Sequence, residues 1–215
     1  MVCYSHAMKR RKWMGLLGGF CLVGCGEKKT AVDVGAVERP WTEMKDEWEG
    51  LSGGIVEEGE ELSIGWGEGL TNVRWEGEVP TAPFELEMKA KRVNGTDFFC
   101  AVTFPARGPE QCVTLVVGGW GGSLVGISCI DGKDASENDT QKTHTFETDV
   151  WYQIRLVREG EKIVVWIDGE KLIDVDTTGK TLSLRQGGIE ECAPFGLATW
   201  QTTARIKDIR WRGLK

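Results

Sequence analysis

The segment Phe84-Glu85-Leu86-Glu87-Met88-Lys89-Ala90-Lys91 alternates apolar and charged side chains at every step, and this two-residue period constrains the fold more than any other feature of the chain. Successive side chains of a strand point to opposite faces, so the segment reads as a strand with one buried face. Residues 151–158, with Tyr152, Ile154 and Leu156 on one side, repeat the pattern, as do residues 162–167 with Ile163, Val165 and Ile167. These two predict a hairpin around Glu159-Gly160. The next connection, Asp168-Gly169, tolerates the positive φ angles of a type I′ turn and joins 163–167 to 171–175. Further strands are expected at 54–56, 61–64, 72–75, 96–104, 112–117, 124–130, 195–200 and 204–211. A 3.6-residue apolar stripe is missing except at 42–49, where one or two helical turns are expected. Glycine, 29 of 215 residues, is about twice its average use and is scattered as turn punctuation with no three-residue repeat, which excludes collagen and coiled coil. Many short strands joined by glycine-rich turns predict an all-β fold, a jelly-roll sandwich of two antiparallel sheets, with a concave side that suits a ligand.

The N-terminus reads as an address. Lys9, Arg10, Arg11 and Lys12 precede an almost uncharged run from Trp13 to Val23, which is too short to span a bilayer but fits a secretion signal. Either Met1 or Met8 can start it. The run ends in Leu22-Val23-Gly24-Cys25, which resembles the lipobox of bacterial lipoproteins; the resemblance implies cleavage after residue 24 and acylation of Cys25. The expected organisation is a signal peptide at 1–24, a lipid anchor and solvated tether at 25–40, and a domain at 41–215, placed in the cell envelope at a periplasmic or outer-surface membrane. The full chain has a formal charge of −7; without the signal, 22 basic residues face 33 acidic ones, or −11, so nucleic acid is not an expected partner. Export permits disulfides among Cys100, Cys112, Cys129 and Cys192, and buried free thiols fit the apolar surroundings equally well. The oligomeric state is left open.

Several strings taken together, Gly95-Thr96-Asp97-Phe98-Phe99, Gly118-Gly119-Trp120-Gly121-Gly122, the 134–139 acidic loop, Trp166-Ile167-Asp168-Gly169-Glu170 and Ile206-Lys207-Asp208-Ile209-Arg210, resemble the 3-keto-disaccharide hydrolase domain. This is a bacterial family of concanavalin A-like sandwiches, formerly a domain of unknown function, abundant in planctomycete-type genomes. The likeness covers residues 48–214. It implies a carbohydrate partner and cleavage of 3-keto-glycosides, in which the C3 ketone acidifies the C2 proton and permits elimination; a noncatalytic glycan-binding or cell-envelope interaction module is the alternative. The resemblance carries no catalytic set with it.

Chemistry alone supplies the site candidates. His144 is the single histidine outside the signal, so an imidazole base would have to be this one; Asp134 and Glu137 are the other catalytic candidates, and an exposed or structural histidine is the plain alternative. The loop from Asp131 to Asp139 is acidic enough for calcium through Asp131, Asp134 and Asp139, but its spacing is not that of an EF-hand and it also fits a solvated loop. Trp120, Trp200, Gln201 and Asn138 are candidates for binding sugar, since a pyranose has an apolar face that stacks on indole; each tryptophan could equally belong to the core. Family 16 glycosidases share the architecture and carry ExDxxE, but Glu85-Leu86-Glu87-Met88-Lys89-Ala90 lacks both the aspartate and the last acid, so that dyad is absent.

Overall fold

The computed structural model describes residues 39–81 and 83–215; the expected signal, Cys25 and the tether up to residue 38 lie outside the described residues. In chain order the strands are β1 (Thr42–Glu43), β2 (Trp48–Ser52), β3 (Val56–Glu57), β4 (Leu62–Ile64), β5 (Leu70–Trp75), β6 (Phe84–Gly95), β7 (Cys100–Pro105) and β8 (Cys112–Gly118). There follow β9 (Leu124–Ser128), β10 (Lys142–Thr143), β11 (Tyr152–Glu159), β12 (Lys162–Ile167), β13 (Glu170–Asp176), β14 (Gly196–Trp200) and β15 (Thr202–Gly213). The first sheet runs β13-β12-β11-β6-β15-β4-β3, with β1 on β15; the second runs β10-β9-β8-β7-β14-β5-β2. Neighbours pair antiparallel, for example Leu156 opposite Leu86 and Thr114 opposite Ser128. The molecule is the expected jelly-roll sandwich. Among the described residues no helix is long and apolar enough to cross a membrane.

Alternation fixes which side of each strand enters the core. Phe84, Leu86, Met88 and Ala90 point inward and are buried, while the intervening charges pair on the outer face of the first sheet. There Glu85 lies between Arg155 and Arg212, Glu87 binds Arg210 at 2.8 Å and Lys89 binds Asp208 at 2.9 Å. The turn at Asp168-Gly169 has φ of 49° and 81°, the positive values that a two-residue hairpin loop requires.

Two local expectations are corrected. Residues 42–49 form no helix: Thr42 and Glu43 pair with Trp211 and Arg210, and Trp48 pairs with Trp75, their rings 5.1 Å apart. Pairing with waiting strand edges outweighs the weak helical pattern of so short a segment. The strand expected at 96–104 begins only at Cys100, because Asp97 bends the chain before it, accepting the Phe98 N–H at 2.7 Å while its own N–H reaches Thr202 Oγ1 at 3.3 Å.

The two sheets differ in one respect that positions everything else. The long strands β6, β11 and β15 of the first sheet largely alternate buried and accessible residues, whereas every residue of β7, β8 and β9 is buried. Phe104, Leu115, Ile127 and Leu197 fill the inter-sheet core, and Ala101, Val116, Leu124 and Ala198 are buried on the opposite face in two smaller apolar clusters. The loops over that outer face cover them.

Phe104 is fully buried and meets Phe84 edge-on at 6.3 Å. Phe104→Ala is expected to lower unfolding free energy by about 3–5 kcal/mol, read as a lower urea midpoint at unchanged slope.

Candidate functional site

Two segments cross the outer face of the second sheet. Cys129 and Ser183 exchange backbone hydrogen bonds of 2.9 and 3.2 Å, the Asp131 N–H donates to Thr181 O at 2.8 Å, and Ile130 pairs with Leu182. Residues 129–134 and 180–185 therefore run as a clamped antiparallel pair. Asp131 tightens the clamp from its side chain, accepting the Thr181 N–H at 2.8 Å and Lys180 Nζ at 3.2 Å; the Thr181 bond above all holds its carboxyl below the ordinary aspartate value. Farther along, the 3₁₀ turn Ile189–Cys192 packs Ile189 onto Ala101 and Ala198.

Between these coverings and the sheet remains an open cleft of about 330 Å³. Thr114, Val116 and Ser128 form the floor over β8 and β9, and Leu70, Phe98 and Ile189 continue it toward β5. Trp120 and Trp200 flank it, and Asp97, Asp134 and Arg185 bring its charges. Asp134 takes three hydrogen bonds, from Ser128 Oγ at 2.5 Å, from the Ala135 N–H at 2.8 Å and from Arg185 Nη1. Arg185 in turn reaches over the Trp120 ring at 5.9 Å from its centroid, a cation–π distance. Asp97 differs: Oδ1 caps the Phe98 N–H, and Oδ2 has no hydrogen bond or ion pair among the described residues.

Trp120 is held out by an unusual turn. It adopts φ 47°, ψ 59°, between Gly118 at φ 79° and Gly121 at φ 84°. Left-handed backbone is costly for a bulky side chain and persists where its surroundings impose it. A Cβ at Gly118 would lie 2.8 Å from the Phe99 ring and 2.9 Å from Arg92 Nη2, so this corner accepts only glycine. Below it Arg92, 7% exposed, donates from Nη2 to Gly122 O at 2.8 Å, while Arg92 Nε has no partner among the described residues. Burial lowers the Arg92 pKa from the usual arginine value, with nearby Asp97 acting in the opposite direction.

Of the side chains singled out in the sequence, the fold brings Trp120, Trp200 and Asp134 to one cleft and places the others elsewhere. His144 packs on Phe146 at 4.7 Å and lies 4.0 Å from Glu170, outside the cleft lining. Glu137 accepts the Asp134 N–H at 3.3 Å. Asn138 is committed to its own loop, donating to Ile127 O and Asp134 O at 2.8 Å each and accepting from Thr140 at 2.6 and 2.9 Å. Gln201 donates to Glu68 O at 2.9 Å. The calcium candidates do not converge: the Asp131 and Asp134 oxygens go to the partners named above, Asp139 has none of these contacts, and no three His, Cys, Asp or Glu side chains gather as a metal group among the described residues. Cys100, Cys112, Cys129 and Cys192 are all free thiols, Cys100 and Cys192 pushed up to about 12 by burial. Asp97, Ser128 and Arg185 were missed as site residues. Asp97 was visible only inside the Gly95-Thr96-Asp97-Phe98-Phe99 string, and Arg185, in a loop without any pattern, had no signal.

The sequence pattern of the 3-keto-alpha-glucoside-1,2-lyase-like domain matches residues 36–212. The chain belongs to this family. No curated protein matches it in sequence. Similar solved structures include the carbohydrate-binding module CBM66 from Bacillus subtilis, 15% identical over 80% of this chain and 99% of that one, with a TM-score of 0.53. Crh5 transglycosylase in complex with NAG is 11% identical over 84% of this chain and 86% of that one, with a TM-score of 0.56. The VIP36 exoplasmic/lumenal domain in its Ca²⁺/Man-bound form is 12% identical over 78% and 83%, with a TM-score of 0.53. At these identities the likeness is one of fold. Family and fold together make this a carbohydrate-related jelly-roll domain.

Two outcomes follow. Trp120→Gly removes a left-handed tryptophan and is expected to leave unfolding free energy unchanged or raise it by about 1 kcal/mol, measured by urea titration. Since the folded Asp131 carboxyl is shifted down, its contribution is present above the usual aspartate range near 3.8 and is lost as pH falls through the lower folded value; Asp131→Asn should therefore lose less stability than the parent protein on acidification, read as denaturation midpoints at a series of pH values.

Proposed function

We propose that the cleft cleaves 3-keto-glycosides by elimination. The observation that carries this reading is a carboxylate with a free oxygen, Asp97, in the same cleft as a cationic donor, Arg185, and an accessible indole, Trp120. A C3 ketone makes the C2 proton acidic, and Asp97 is the base that takes it. Negative charge then develops on the ketone oxygen, where Arg185, fixed in place by Asp134, stabilises it. As the carbonyl re-forms, the C1–O bond breaks, a C1–C2 double bond appears, and the departing oxygen takes a proton from water at the open mouth; the hydroxide left behind removes the C2 proton from Asp97, which returns to carboxylate. Trp120 stacks on the sugar face. In the same reading the protein is exported and held at a membrane through Cys25, with the domain acting in the cell envelope.

A second reading, a noncatalytic glycan-binding module, is favoured by the commitment of Asp134 to Ser128 and Arg185, which leaves a single uncommitted acid in the cleft. Turnover separates the two. Purified protein incubated with 3-keto-trehalose and 3-keto-glucosides, with and without divalent metal, should release the alcohol and form an absorbing enone. Asp97→Asn should lower kcat by about 10²- to 10⁴-fold with the fold retained by circular dichroism, and Trp120→Ala should act mainly on KM. Glycan binding without any turnover would select the second reading.

A further inference from the structure

The cleft has two chemically different halves. It crosses the second sheet from β9 through β8, β7 and β14 to β5, four strand spacings or about 19 Å, wide enough for two rings side by side. Over β8 and β9 the floor has one apolar group, Val116, among the polar Thr114, Ser128, Asp134 and Arg185, with Trp120 above them. Over β7, β14 and β5 they are Phe98, Ile189, Leu70 and Trp200. Asp97 marks the boundary: a Cβ at Gly119, beside Trp120, would lie 3.9 Å from Asp97 Oδ1 and 4.0 Å from Phe98 Cβ.

The apolar half offers little to a hydroxyl group. Asn72, the outward polar residue of β5 next to Leu70, donates to Gly188 O at 2.9 Å and Glu191 Oε2 at 3.3 Å and accepts from Ser52 Oγ at 2.7 Å. Its amide is therefore committed. Gln186 stands at the exposed rim, where water competes for it. Ile189 packs with Leu70 and Phe98 on the buried Ala101 and Ala198, and the Trp200 ring lies against Gly69, 3.7 Å from where a Cβ would stand. Trp200 is nevertheless 39% exposed. An apolar floor with an open indole at its edge fits a flat apolar ring, whereas a second sugar placed there would bury hydroxyls without partners.

We propose that this cleft takes glycosides whose leaving group is an apolar or aromatic ring, with the sugar over β8 and β9 beneath Trp120 and the leaving group over β7, β14 and β5 against Trp200. The assignment of the sugar to the half facing Asp97 and Arg185 rests on the elimination reading; the preference for an apolar ring rests on the lining alone.

Calorimetric titration of the full chain with 4-nitrophenyl α-D-glucoside, methyl α-D-glucoside and trehalose tests it without requiring turnover. The aryl glucoside should bind at least about tenfold more tightly than the other two. Trp200→Ala, at an exposed position, and Leu70→Asn should each bring aryl glucoside binding down to the level of methyl glucoside. Trehalose binding as tightly as the aryl glucoside, an aryl preference that survives both substitutions, or no binding of any probe would overturn the proposal. Selective aryl binding with no cleavage of the 3-keto forms would sink the elimination reading and leave this one standing.

Discussion

Strands β7, β8 and β9 carry small or apolar groups on both faces, and a sheet can bury only one face against its partner sheet. The other must be covered by whatever chain is at hand. That requirement explains why residues 129–141 and 180–195 lie where they do. The backbone pairing of Cys129 with Ser183, the Asp131 bonds to Thr181 and Lys180, and the seating of Ile189 on Ala101 and Ala198 are the means by which two loops are held as a second layer. Arg107 fastens the far end, donating to Glu161 at 2.6 Å and to Lys180 O at 2.8 Å. The cleft is the part of the outer face that this layer leaves uncovered, so packing and recognition have a common origin.

The first sheet solves its outer face differently. Long cationic side chains lie over indoles, with Lys207 4.3 Å above Trp151, Arg155 4.3 Å above Trp166, and both Arg210 and Arg212 4.5 Å above Trp41; the arginine charges meet Glu85 and Glu87, and Lys207 meets Glu61 at 3.7 Å. Three tryptophans are thus covered by aliphatic stems and charged tips. Trp120 on the second sheet also has a guanidinium at its ring, 5.9 Å away, and differs in being lifted out by a glycine-rich turn that leaves it 43% exposed.

Strand positions were legible because alternation is a local signal that depends only on which side chains follow one another. The 84–91 pattern and the Asp168-Gly169 turn give the inward residues and the hairpin without any long-range knowledge. The site was only half legible. Trp120 could be singled out because its glycine neighbours announce a turn, and Asp134 because it sits among acids, but neither property says which way a side chain points. His144 and Asn138 show the cost: both have suitable chemistry, but His144 lies on Phe146 outside the cleft lining and Asn138 is taken up by hydrogen bonds within its own loop. Arg185 becomes a site residue only because residues 129–134 happen to run beside 180–185, a contact between segments about fifty positions apart that no local pattern encodes.

Burial also sorts the thiols. Cys100, Cys112 and Cys192 are enclosed, and burial pushes their pKa values up, which keeps them protonated at neutral pH and poor as nucleophiles. Cys129 is partly accessible and adjoins Ser128 in the cleft floor. Its Sγ lies 3.2 Å from Ser128 Oγ, so a maleimide fluorophore attached there would sit beside the hollow, turning an incidental side chain into a reporter of occupancy that needs no engineered handle.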